Sequence, residues 1–200
     1  HQIQKHLEHC ERGELVAAAG VPDAPPKQVA NLDALLNDPS IELISLCSPR
    51  RADQAKDAIR CLQAGKHVYA EKPSALNEAE LDAILEAAQS TGKRFHEQAL
   101  TAFSQPYATL RQIATSGQLG EIVEVYAQKS YPWRDTRPQD EAIDGGLGLQ
   151  AGVYCTRFVE HVACQKIASI TGLDTQLGNP VATGDCRMAT SFQMRLANGG

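Results

Sequence analysis

No stretch of these 200 residues stays apolar for the length a membrane-crossing helix requires; runs such as Leu15 to Ala19 are strand-sized and belong in a soluble core. No one sign of charge dominates either. The formal net charge of −5 gives no general attraction to nucleic acid or to an anionic membrane. The six cysteines, at 10, 47, 61, 155, 164 and 186, include no Cys-x-x-Cys and no paired histidine spacing. Zinc and redox motifs are therefore missing, and the pattern suits reduced thiols in a cytoplasmic protein. There is no internal repeat, no low-complexity tract, and at His1 neither a methionine nor a signal-peptide pattern, so the expectation is a portion of something longer. The hydrophobic fraction of 42% and charged fraction of 22% are ordinary for a globular chain that can bury a real core in one large domain or two modest ones.

What is present is an alternation. Residues 1–12 predict a helix with Ile3, Leu7 and Cys10 along one face. The apolar runs at 14–19 and 41–47 predict strands, and Asn31 predicts the cap of a short helix between them. Residues 50–64 place Ala55, Ala58, Ile59 and Leu62 at helical spacing before Gly65. HVYAE (67–71) predicts a strand, 77–91 a helix closed by Gly92, and RFHEQ (94–98) the last strand of the series. Apolar strands separated by single helices predict a doubly wound, Rossmann-type parallel sheet, with ligands at the carboxyl ends of its strands.

After about residue 98 the texture changes. A helix is expected near 105–116, a longer strand at 121–131, a polar loop over 132–144, and a helix over roughly 148–163 opened by Gly145-Gly146. Strands separated by turns should fill 166–198, giving a second, α+β domain with an open, mainly antiparallel sheet. The expected division is a dinucleotide-binding domain over 1–98, without its first strand and glycine-rich loop, and a substrate and oligomerisation domain over 99–200, incomplete at its end.

The most informative string is Ala64-Gly-Lys-His-Val-Tyr-Ala-Glu-Lys-Pro73. A buried strand delivers Glu71-Lys72-Pro73 at its carboxyl end; Pro73 cannot continue the ladder, and the preceding bond has the cis form open to it. Lys72 would then face the crevice where a cofactor ring belongs. A partly desolvated lysine beside a cationic ring accepts and donates protons near neutral pH. By itself the triplet also reads as a solvated strand-end lysine paired with Glu71. His6, His9 and Cys10 fall within about one helical turn but read as solvated side chains, so no metal site is expected. His161 and Cys155 read as packing residues, and Arg50-Arg51 as a solvated helix start or a phosphate contact.

The string resembles the glucose–fructose oxidoreductase / inositol dehydrogenase (Gfo/Idh/MocA) family signature A-G-K-H-V-x-x-E-K-P. Cys47-Ser48-Pro49 is similar to its strand-end T-P loop, Gly117-Gln-Leu-Gly120-Glu-Ile to its helix-to-sheet junction, and Trp133-Arg134 with Gly145 to Tyr154 to its W-R and G-G-G-x-L-x-D-x-G-x-H pair. The resemblance implies an NAD- or NADP-dependent dehydrogenase or reductase acting on CH–OH groups of a sugar, polyol or related compound. It further implies a homo-oligomer, dimer or tetramer, formed through the second domain's sheet. Lys72 falls on the catalytic or substrate-orienting lysine. Cys47, Ser48, Pro49, Glu71, Lys72, Pro73, Gln98, Trp133 and Arg134 fall at cofactor positions.

Several positions depart from the family. The acidic residue after the second strand aligns with Gly20, with Asp23 three residues on, which leaves NAD and NADP both open. The histidine after the S-P loop corresponds to Asp53. On the helix after Gly146 the aspartate becomes Gln150 and the histidine Tyr154, at i and i+4 on one face. Gln150 is expected to bind substrate without titrating, and Tyr154 to bind substrate and pass a proton, unless it is a packing aromatic. These departures leave a second reading, a catalytically inactive member serving as a ligand sensor or regulatory partner.

Overall fold

A computed structural model describes Ile3, Leu7, residues 9–21, 27–98, 104–132, Arg134 and 138–200. The chain divides into two compact units, His1–Pro49 with Asp53–Glu97, and Arg50–Ala52 with Gln98–Gly200.

The first unit is built on parallel strands. β1 (Ala18–Ala19) pairs with β2 (Gln28–Val29), and β3 (Leu43–Leu46), β4 (His67–Ala70) and β5 (Phe95–Glu97) form a sheet in that spatial order. Three helices connect the strands: α1 (Leu32–Leu36), α2 (Arg51–Gln63) and α3 (Glu78–Thr91). Each helix boundary has a local cause. Asn31 and Asn77 accept the Ala34 and Glu80 amides, and Gly92, at φ 66°, takes the left-handed cap after α3. The run at 14–19 is shorter as a strand than the sequence predicts: only Ala18 and Ala19 have ladder partners, while Val16 and Ala17 pack on the core without pairing. Ile3 and Leu7 are helical and half-buried, whereas Cys10 lies outside the helix and is exposed.

The core joins Ile44 and Leu46 of β3, Val68 and Ala70 of β4, Ala58 and Leu62 of α2, and Ile84 of α3. These strand residues alternate, so one sheet face is sealed while the other carries half-buried Tyr69 stacked on exposed His96, ring centroids 5.6 Å apart. Lys66 is 6% exposed, and its ammonium donates to the carbonyls of Asp38 (2.7 Å) and Ile41 (2.8 Å). The lysine of the A-G-K-H-V string thus ties the turn before β3 to the turn before β4, far along the strands from the E-K-P end. Cys61 is fully enclosed, and burial, with Asp57 adding to it, pushes its thiol up to about 12.

In the second unit, α4 (Tyr107–Thr115), α5 (Glu141–Asp144) and α6 (Gly146–Ala163) precede an antiparallel pair, β6 (Ile167–Thr175) and β7 (Ala189–Leu196). His161 packs as expected: its Nε2 lies 3.0 Å from the Tyr107 carbonyl, its own carbonyl accepts from Arg111, and Phe158 meets the Tyr107 ring edge-on. On the sheet side of α6, Phe192 sits between glycines. A Cβ on Gly152 would lie 2.7 Å from Phe192 Cε2, and one on Gly172, its cross-strand partner, 3.0 Å from Cδ1.

The strand expected at 121–131 is not formed. Among the described residues this stretch pairs with no strand, and Val123 and Tyr126 are 80% and 81% exposed. Alternation supplies a face, but a strand also needs a neighbour's N–H and C=O groups. No described helix is long and apolar enough to cross a membrane.

Two outcomes follow from this packing. Gly152→Ala should cost about 1–3 kcal/mol in urea unfolding, and adding Phe192→Leu should recover much of it, because the clash is with that ring. The raised Cys61 value means its neutral-thiol contribution is intact below about pH 9 and is lost as pH rises toward 12. The stability gap between the parent and Cys61→Ala should therefore narrow by about 1 kcal/mol from pH 7 to pH 10, measured by urea titration at each pH.

Candidate functional site

β3, β4 and β5 run in register, with Leu46 opposite Ala70 and Ala70 opposite Glu97. Parallel strands aligned this way release their following residues at one edge, so Cys47-Ser48-Pro49, Glu71-Lys72-Pro73 and Gln98 leave the sheet at its carboxyl end. The Glu71 amide still donates to the Leu46 carbonyl at 2.8 Å, which keeps β4 paired up to the residue before Lys72. Lys72 is 9% exposed, Pro73 is buried, and the bond between them is cis.

The polar groups of these turns are bound to neighbours inside the unit. Ser48 is buried; its amide donates to Gln54 Oε1 at 3.2 Å and its hydroxyl to Asp57 at 2.9 Å. Cys47 and Pro49, on either side, are exposed. The Lys72 amide donates to its neighbour's carboxylate, Glu71 Oε1, at 3.1 Å. Ser74, 2% exposed, donates from both its amide (2.7 Å) and its hydroxyl (2.6 Å) to Glu97 Oε2. Gln54, fully buried, donates from Nε2 to the carbonyls of Glu71 and of Pro73, the latter at 2.8 Å.

Gln54 and the Ser74–Glu97 pair escaped the sequence reading. A signal was available for the first: Gln54, Ala58 and Leu62 follow at four-residue steps, which places a glutamine on the buried stripe of α2. Asp53, assigned the family's histidine position, is exposed, and the side chain of α2 that reaches the strand ends is the next one along.

The second unit holds the remaining candidates. Gln150 Nε2 donates to the Asp144 carbonyl at 2.7 Å, so its amide closes the turn between α5 and α6. Tyr154 is half-buried and meets Tyr131 edge-on, ring centroids 6.4 Å apart. Lys129 Nζ stands 5.1 Å from both ring centres, a cation placed against two aromatic faces that the sequence reading did not single out. Burial pushes the Cys155 thiol up against the opposing pull of Lys129, which suits packing rather than nucleophilic chemistry. The carbonyl of half-buried Gln98 accepts from Arg157 at 2.9 Å, and Arg134 is exposed. Trp133, His6 and Asp23 lie outside the described residues.

Exposed Cys47 and Pro49 follow β3 at this edge, nearly enclosed Lys72 follows β4, and the Gln54 side chain binds the backbone on both sides of Lys72.

Comparison with known proteins agrees with this architecture. The family described as "Oxidoreductase family, NAD-binding Rossmann fold" matches residues 5–99, and the GFO/IDH/MocA C-terminal domain matches 107–200. The bovine trans-1,2-dihydrobenzene-1,2-diol dehydrogenase is 32% identical over 138 residues, 68% of this chain and 41% of that enzyme. The chain thus spans less than half the length of that curated relative. In structure, myo-inositol 2-dehydrogenase from Lactobacillus plantarum superposes with a TM-score of 0.80 at 17% identity, over 98% of this chain and 62% of that one. Aldose-aldose oxidoreductase from Caulobacter crescentus gives 0.79 at 18% identity, over 99% and 64%. At such identities the structures establish a shared fold. Both halves of this chain match in order, and the chain belongs to the GFO/IDH/MocA family of oxidoreductases.

Proposed function

We propose that the chain carries the hydride-transfer machinery of an NAD- or NADP-dependent oxidoreductase acting on a CH–OH carbon of a sugar, polyol or related alcohol, or on the matching carbonyl. The observation that carries this reading is Lys72, a lysine nearly enclosed at the carboxyl edge of an in-register parallel sheet. The names of the bovine, Lactobacillus and Caulobacter proteins supply the substrate class. When bound, the nicotinamide supplies or accepts the hydride.

Everything else falls to the protein. In oxidation, the carbinol C–H bond breaks as hydride leaves, and the hydroxyl proton passes to the Lys72 amine; in reduction the ammonium returns it. Cys47, Ser48, Pro49, Glu71, Lys72, Pro73 and Gln98 are the proposed cofactor contacts. Trp133 and Arg134 are proposed to contribute to the same function. In the second unit, Tyr154 is proposed as a substrate contact and proton carrier and Gln150 as a substrate contact. Residues 1–98 would serve the dinucleotide and 99–200 the substrate and assembly. A dimer or tetramer through the β6–β7 sheet is supported by its apolar exposure, with Ile170 at 49% and Leu173 at 81%. A cytoplasmic setting is supported by six cysteines with no disulfide among them.

In the intact protein, Lys72→Ala should lower turnover on a responsive polyol by about 100- to 10,000-fold, while NADH and NADPH fluorescence titrations still show binding because Lys72 is one of several proposed contacts. Undiminished turnover would remove the mechanism. Tyr154→Phe should lower kcat by about tenfold or more, and a parental kcat would make that tyrosine a packing residue. Leu173→Glu should shift the intact protein toward monomer in light scattering; an unchanged mass would exclude this sheet as the interface.

A further inference from the structure

We propose that Gln54 is a positioning residue for hydride transfer, its buried side-chain amide holding the Glu71-Lys72-Pro73 turn against the β3 end so that Lys72 meets the substrate hydroxyl in one orientation. This inference rests on the role proposed above for Lys72.

Gln54 has no exposed surface and lies on α2, outside the E-K-P segment in sequence. Its Nε2 donates to two carbonyls, those of Glu71 and Pro73, the residues immediately before and after Lys72. Its Oε1 accepts the Ser48 amide at 3.2 Å, one turn after β3. All three bonds form only with the amide in this orientation. They also need both a donor pair and an acceptor on one short head group. A carboxylate has no donors, and an ammonium or guanidinium has no acceptor, so among side chains of this length glutamine is the one that serves every partner.

The consequence is geometric. A lysine side chain inherits its direction from its own backbone, and the carbonyls on both sides of Lys72 are fixed to the same nitrogen. The far side of the turn is fixed too, where Ser74 donates twice to Glu97. Because the bonds to Ser48 and Pro73 are buried and the one to Glu71 is partly so, losing the amide would remove a partner from two carbonyls and one N–H, and the turn would shift to replace it. A residue that only filled the core would tolerate an apolar replacement of equal length. A positioning residue would not, since a displacement of about 1 Å at a reacting group costs on the order of 100-fold in rate.

The test uses the intact protein with Gln54→Met, which keeps length and volume, Gln54→Glu, which keeps the acceptor toward Ser48 but loses the donors when ionised, and Lys72→Ala as reference. Gln54→Met is expected to lower kcat by about 10- to 100-fold with the polyol KM changed by no more than about threefold, and Gln54→Glu to lose at least as much. A second readout needs no turnover. In the cofactor-free protein, acylation of Lys72 by an amine reagent, followed by peptide mass spectrometry, should change rate by about threefold or more in both variants relative to exposed Lys56. If Gln54→Met does not fold, Gln54→Glu decides by the same two measurements. Parental kcat and parental Lys72 labelling in a folded Gln54 variant, with Lys72→Ala inactive, would overturn the positioning role and leave the function standing. An active Lys72→Ala protein would instead bring down the functional reading itself.

Discussion

The parallel register of β3, β4 and β5 is the constraint from which the candidate site in the first unit follows. Parallel ladders place successive strand ends side by side, and here Ala70 is the partner of Leu46 on one side and of Glu97 on the other. The residues after each strand are therefore brought to one edge although they lie more than twenty positions apart in the chain. Nothing in the turns themselves would gather them. The core under the sheet, through Ala58, Leu62 and Ile84, holds that register by sealing the alternate side chains of β3 and β4.

A register alone leaves the turns beyond it without ladder partners, and this protein binds them with buried side chains. Gln54 serves the loops after β3 and β4 together, while Ser74 and Glu97 join the loop after β4 to the end of β5. At the other end of the strands Lys66 plays a comparable part through two carbonyls. One short string, Gly65 to Pro73, thus carries a structural lysine at one end of β4 and the proposed functional lysine at the other. Both are nearly enclosed, and what distinguishes them is the edge of the sheet at which each lies. Ligands of parallel sheets collect at carboxyl ends, which gives the two identical side chains different meanings.

The second unit shows how glycine can determine packing where no turn demands it. Gly152 and Gly172 leave room for the Phe192 ring between α6 and the sheet. Above that contact, α6 presents Gln150 and Tyr154 in different circumstances. The glutamine amide closes a turn onto Asp144, whereas the tyrosine ring shares Lys129 with Tyr131. A departure from family pattern at Gln150 therefore has a local structural use in this chain, independent of any ligand.

Much was readable from the residues in order. Helix starts at Asn31 and Asn77, the stop at Gly92, the helix–strand alternation and the E-K-P terminus all rest on interactions within a few positions, which local chemistry dictates. The strand expected at 121–131 did not form, because pairing depends on a neighbour that alternation cannot supply. Gln54 was passed over beside Asp53 for a related reason. Its importance lies in carbonyls 17 and 19 residues away, and only folding brings a helix start and a strand end within hydrogen-bonding reach. Sequence alone determined most of the elements, the family and the identity of the candidate lysine. Tertiary structure decided which polar side chains are buried and whom they bind, since burial and partnership are properties of distant chain segments meeting.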